Sequence, residues 1–402
     1  MTSGRLPAPL PVAERIHAMD AVRAFALVLG VFLHATISFF PPAPVTVWPV
    51  ADSTSSHSLA LGFYVIHMFR MLLFFLLAGY FARLLLLRDG VAGFSRDRMR
   101  RVVVPFAIGM LVLPPLTSAV GFLAPRGAFV VERLPVLMHL WFLYLLAILY
   151  GGLVIIAMAW RVAPASVRTT INAAGNAVAD SALLPLAAAI PAAVALYSLP
   201  SWAAWFGIPA PGWLPNRAAV VAYGTAVAAG WLLHRRPLAL RDLRTRWRIY
   251  FAVGVLCAAG CLAMVGVRPK YVIAGGGSGT AAYALLYSLG GWTLALAIVG
   301  VGLRIVTGAN AAIRFMADAS FWVYLTHLPL VLLLQTLLAP LALNWRIKFI
   351  VVIGVSLPLL FGSYYLLTVA KARVGWRTRS SRRRSRWGRR LDPPTGTPVI
   401  PG

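Results

Sequence analysis

DAVRAFALVLGVFLHA, residues 20–35, decides how the chain is read. The run belongs to an apolar stretch long enough to cross a bilayer, which takes about 20 such residues in a helix. Yet it carries Arg23 and His34. Eleven steps at about 100° per residue come to three turns plus about 20°, so the two side chains share one face, about 16 Å apart along the axis. An ionisable group left in hydrocarbon costs at least about 2.5 kcal/mol, so both are expected to face a protein-lined functional cavity.

Outward from this stretch, similar ones recur. The 402 residues are 60% hydrophobic with a mean hydropathy of +0.81, above the roughly one-half apolar share of a soluble globule. Windows of about 20 apolar residues fall near 20–39, 59–82, 102–122, 137–159, 181–199, 217–234, 248–266, 280–303, 315–338 and 347–370. They are too long and too uniformly apolar for barrel strands, and irregular backbone cannot face lipid, so they should be helices. The expected fold is all-α: a polytopic membrane protein of about ten transmembrane helices over 20–370, with a short segment at 1–19 and a basic tail at 371–402.

Charge sets the expected orientation. With both termini in the cytoplasm, about 28 of the 37 Lys and Arg lie on the cytoplasmic side, about 7 outside, and Arg23 and Arg70 within helices. The net charge of +27 is therefore first a topology signal. The first apolar stretch is too long for a signal-peptide core and is read as a retained anchor. The tail, with Arg382, Arg383, Arg384, Arg389 and Arg390, is polar and poor in aliphatic residues, so it is expected to be disordered and to meet anionic lipid headgroups rather than nucleic acid.

Two loops expected outside, 40–58 and 200–216, hold Trp48, Trp202, Trp205 and Trp213, which suit the headgroup level. Cys257 and Cys261, four apart on one expected helix, read as packing residues, with no disulfide and no metal implied. The run Gly275 to Gly277 lacks the preceding strand and the Lys-Ser/Thr of a phosphate loop and reads as a connector.

Further polar groups sit where lipid would make them costly. His67 and Arg70 are three apart and share a helix face. His139 opens the fourth expected helix, and Ser320 and His327 stand seven apart, about two turns, on the ninth. In RDRMRRVVVP, residues 96–105, Arg98 and Arg101 line one face, and a guanidinium cluster at a membrane mouth suits a phosphate-rich ligand. The positive-inside rule alone would place arginines there as well. Of ten acidic residues only Asp20, Asp180 and Asp318 lie near helix boundaries and none is mid-membrane, which speaks against a proton pump built on carboxylates. Base chemistry then falls to histidine, whose reference pKa of about 6.5 makes neutral imidazole available at neutral pH.

As a set, these residues resemble the integral-membrane acyltransferase-3 family. The matching pieces are DAVRAFALVLGVFLHA at 20–35, FFLLAGYFARLL at 74–85, the arginine-rich start of the third helix with Pro105, and ASFWVYLTHLPL at 319–330. IHMFRMLLFFLLAGYF at 66–81 and HLWFL at 139–143 look most like the glucan biosynthesis protein C branch, which succinylates osmoregulated periplasmic glucans. Leu328 and Asp318 depart from that branch's pattern.

The resemblance implies a multi-pass protein of the bacterial inner membrane. It would move an acyl group from cytoplasmic acyl-CoA, succinyl-CoA or acetyl-CoA, to a hydroxyl of an extracytoplasmic glycan. Acyl-CoA is then a co-substrate, and no cofactor is expected. By this reading His34 and Arg23 are catalytic, Arg98 and Arg101 bind acyl-CoA, and Arg70, His67, His139, Ser320 and His327 bind substrate. A transporter exporting a glycan or lipid-linked sugar through the same cavity is the alternative, and nothing in the sequence sets an oligomeric state.

Overall fold

The first apolar run folds as a helix because hydrocarbon offers its backbone no partner other than itself. In the computed structural model, which describes residues 12–41, 48–122, 137–209, 212–269, 273–274 and 277–388, this run is α1 (Val12–Thr36), closed by a 3-10 turn at Ile37–Phe39. The start of the N-terminal segment, Gly275, Gly276, Arg389 and Arg390 lie outside the described residues.

The chain continues through α2 (His57–Arg98), a π-helical turn (Met99–Val103), α3 (Val104–Phe122), a 3-10 turn (Met138–Leu140), α4 (Trp141–Val162), α5 (Ala165–Asp180), α6 (Leu184–Tyr197), α7 (Arg217–Arg235), α8 (Pro237–Val265), α9 (Gly277–Ile305), α10 (Ala311–Leu338) and α11 (Trp345–Gly388). Besides these there is a two-residue antiparallel pair, β1 (Ser201–Trp202) with β2 (Ile273–Ala274). The protein is an all-α polytopic membrane protein.

Each of the ten apolar windows lies on a helix. Among the described residues, seven helices are long and apolar enough to cross a membrane, or eight if α5 and α6, bent by 108°, form one span. The difference from ten has physical causes. The windows at 59–82 and 102–122 belong to one helical run, His57–Val120, because the arginine-rich connector between them is itself helical, broken only by Gly90 at φ 68° and the π turn. The window at 217–234 is α7, which carries Arg217, His234 and Arg235 at its ends. At the other end of the chain, α11 continues past Lys371, where its apolar span stops, so the basic stretch expected to be irregular is helical as far as Gly388.

Burial sorts the helices. The apolar windows of α1 and α9 are 67% and 72% buried, whereas those of α4 and α11 are 22% and 17% buried, so the first two are inner helices and the last two present most of their surface to lipid. α1 packs against α2, α9, α10 and α11. Where α2 crosses α7 the backbones touch. A Cβ on Gly79 would sit 1.9 Å from the Val227 carbonyl oxygen, and one on Gly230 would sit 1.8 Å from that of Leu76. Small residues allow such close helix contacts in lipid, and this one fixes α2, which carries Arg70 and the arginine-rich turn.

Candidate active site

Against the inner side of α1 lies a cavity of about 620 Å³, lined from α1, α2, the π-helical turn, α3, α4 and α10 and the turn before α4. Arg23, His34, Arg70, Arg98, Arg101, His139, Ser320 and His327 all line it. The eleven-residue spacing on α1 thus brings its guanidinium and imidazole to one space. His67 is the exception. Its ring stacks on Phe63 at 5.1 Å and meets the edge of Phe206 at 6.0 Å, away from the cavity lining.

At one end three imidazoles converge. His34 Nδ1 lies 3.0 Å from His327 Nε2, and the His139 and His327 ring centroids are 5.3 Å apart. The His327 ring is held from behind, its Nδ1 lying 2.7 Å from the Tyr324 carbonyl oxygen and 3.1 Å from that of Val323. His139 Nε2 lies 3.2 Å from the Leu325 carbonyl oxygen, while its own carbonyl accepts from the Tyr324 hydroxyl. His139 follows Met138, a non-glycine residue at φ 42°. That left-handed conformation is costly for a side-chain-bearing residue and persists only where its surroundings demand it.

His34 is also clamped from outside the cavity. Its ring stacks on Trp48 at 5.6 Å. The Trp48 indole N–H donates to Gln335 Oε1 at 2.9 Å, and Gln335 Nε2 donates to the carbonyls of His34 and Ala35 at 3.2 and 3.1 Å. Both are buried. Sequence reading missed this clamp. Gln335 was visible as a lone amide in an apolar window, but its partners are about 290 to 300 residues away in the chain.

Arg70 is buried beside the imidazoles, and among the described residues its Nε has no hydrogen-bond partner. Its Nη1 is so close to α1 that a Cβ on Gly30, one turn before His34, would come within 2.5 Å of it. A buried guanidinium N–H that lacks an acceptor among the described residues is poised for an anionic or developing negative oxygen. Three turns before His34 on α1, Arg23 donates to the Ala317 carbonyl at 2.9 Å, pairs with Asp20 at 3.3 Å and lies over the Phe81 ring. The Ser320 hydroxyl donates to that same carbonyl, which leaves it little freedom as a nucleophile.

The far end is basic. Arg88, Arg98, Arg100 and Arg101 all reach the lining, where Arg98 lies over the Phe94 and Tyr150 rings. Both Arg98 and Arg101 pair with Asp97. The lining between the two ends is mainly apolar and aromatic, with Phe74, Phe81, Phe142 and Tyr324 among its residues. A slot of this kind accepts a long molecule with an anionic head, a flexible apolar arm and a reactive tip.

In this polytopic helical protein one cavity thus runs from guanidinium groups to a histidine cluster. Residues 16–369 match the family described as an acyltransferase domain, and the chain belongs to this acyltransferase-3 family. Glucans biosynthesis protein C from Salmonella paratyphi B, and likewise from Salmonella heidelberg and Salmonella agona, is 31% identical over 148 residues, which cover 34% of this chain. The chain thus spans 38% of the length of these curated relatives. No solved structure matches it.

Proposed function

We propose that the protein is an O-acyltransferase that takes a succinyl or acetyl group from cytoplasmic acyl-CoA and delivers it to a hydroxyl of a glycan on the other side of the membrane. The observation that carries this reading is the single cavity shared by His34 at one end and the Arg98 and Arg101 cluster at the other. The partial likeness to glucan biosynthesis proteins supports a glucan as acceptor, and the excess of basic residues on one side supports placing both termini, and the arginine mouth, in the cytoplasm.

In this reading the arginines at the mouth hold the phosphates of CoA, and the pantetheine arm lies along the aromatic wall toward His34. His34 takes the proton of the acceptor hydroxyl as its oxygen forms the new C–O bond to the thioester carbonyl, a role that contributes about 10² to 10⁴ in rate. Arg70 faces the negative oxygen that develops, or the terminal carboxylate of a succinyl chain. Collapse breaks the C–S bond, and the proton on His34 passes to the leaving thiolate. The ester, CoA and the free base are the products.

The test is incubation of the full chain, purified into lipid nanodiscs, with acyl-radiolabelled succinyl-CoA or acetyl-CoA and a gluco-oligosaccharide. Label bound to sugar by an alkali-labile ester, with one free CoA thiol per ester, is expected. Sugar crossing the bilayer of proteoliposomes with no new covalent bond would instead establish an exporter.

A further inference from the structure

The hydrogen bonds around His327 decide which nitrogen of His34 is free to react. Carbonyl oxygens only accept, so His327 Nδ1, at 2.7 Å from the Tyr324 carbonyl and 3.1 Å from that of Val323, must carry hydrogen. In the neutral ring Nε2 then holds the lone pair. That lone pair faces His34 Nδ1 at 3.0 Å, a contact that needs one donor and one acceptor, so His34 Nδ1 carries hydrogen and donates. The remaining nitrogen of His34, Nε2, is left with its lone pair.

We infer that His327 is a positioning residue, which locks His34 in the tautomer whose Nε2 is the base, rather than a substrate-binding residue. The inference rests on the reading of His34 as the base. The backbone of α10 thereby does for His327 what a buried carboxylate does for the histidine of a serine protease: it fixes the ring and its proton. The Trp48 stack and the Gln335 clamp hold His34 from its other sides, so both rings meet in one geometry. Once Nε2 takes the acceptor's proton, the Nδ1–H bond to His327 becomes charge-assisted and steadies the imidazolium until the proton passes to the thiolate. No proton leaves through His327, since its far nitrogen already donates to two carbonyls.

Histidine labelled in its ring nitrogens, assigned by comparison with His34→Gln, reads this directly by solid-state NMR of the full chain in lipid. In the native protein His34 is expected to show a protonated Nδ1 and an unprotonated Nε2. In His327→Leu it should become a mixture of tautomers, with kcat about 10² to 10⁴ lower and the KM for acyl-CoA unchanged. His327→Gln, whose amide oxygen falls close to the place of Nε2, should restore the single tautomer and at least about tenfold of the lost kcat. An unchanged His34 tautomer in His327→Leu overturns the inference, as does a His327→Gln variant that is folded but no more active than His327→Leu. Because the NMR readout needs no substrate, a protein that lacks acyl transfer altogether but shows the expected tautomers would sink the function and leave the positioning intact.

Discussion

Lys348 Nζ lies 2.8 and 3.0 Å from the two carboxylate oxygens of Asp52, with the Lys348 side chain fully shielded from solvent and that of Asp52 almost so. This ion pair joins the start of α11 to the segment between α1 and α2, four residues after the tryptophan that stacks on His34. Thr54 and the Ala339 carbonyl complete its hydrogen bonds.

Removing one partner would strand a buried charge, which costs about 3 to 5 kcal/mol, whereas removing both leaves a cavity that apolar groups can fill. Asp52→Leu is therefore expected to lower the thermal midpoint of the detergent-solubilised protein sharply, and Asp52→Leu combined with Lys348→Met to recover most of the loss. Additive losses in the double variant would show that the two side chains act independently.

His34→Ala is expected to retain the fold and acyl-CoA binding within about twofold while transfer falls by about 10² or more, because the base is lost and the arginine mouth is untouched. Calorimetric titration with acyl-CoA and the ester assay, run on the same sample, separate the two effects. Normal ester formation would remove His34 from the chemistry.

Asp97 accepts from both Arg98 and Arg101, so it competes with any phosphate for them. Asp97→Asn should lower the KM for acyl-CoA about two- to fivefold at low ionic strength, the range that partly exposed ion pairs allow, with the gain fading as salt is added. Arg101→Gln should move KM the opposite way. A KM independent of salt in both variants would place the phosphates elsewhere.

Three glycines give contrasting expectations. A methyl group on Gly30 meets only the tip of Arg70, which can swing aside. Gly30→Ala should leave the melting temperature near native yet reduce kcat about 10- to 100-fold by displacing that guanidinium. A methyl group on Gly79 or Gly230 meets backbone carbonyls that cannot yield, so Gly79→Ala and Gly230→Ala should accumulate poorly in the membrane, as measured by the yield of monodisperse protein.

Much of this was legible in the sequence because helical phase is a local property. Arg23 and His34 face one cavity since eleven residues come to just over three turns, and Ser320 and His327 do so since seven come to just under two. The same logic fails for His67, because three residues leave it about 60° away from Arg70, enough to turn it between Phe63 and Phe206. What remained hidden depends on contacts distant in sequence. The carbonyls that fix His327 lie on its own helix, but the His34 ring it meets is 293 residues away. The Trp48 and Gln335 clamp and the Asp52 and Lys348 pair are likewise products of tertiary packing. The burial of Trp48 against His34 is another such contact. The sharp bend between α5 and α6 was also invisible, since apolar content reports the length of a span and not its direction.

Because Arg23 and His34 ride on one unbroken helix, the number of residues separating them sets both their distance and their relative angle. A single residue inserted between them would rotate one by about 100° relative to the other and add about 1.5 Å of rise, turning one of the two side chains away from the shared cavity. Gly30 apart, residues 24–33 are therefore expected to tolerate exchanges of one apolar side chain for another better than any insertion or deletion.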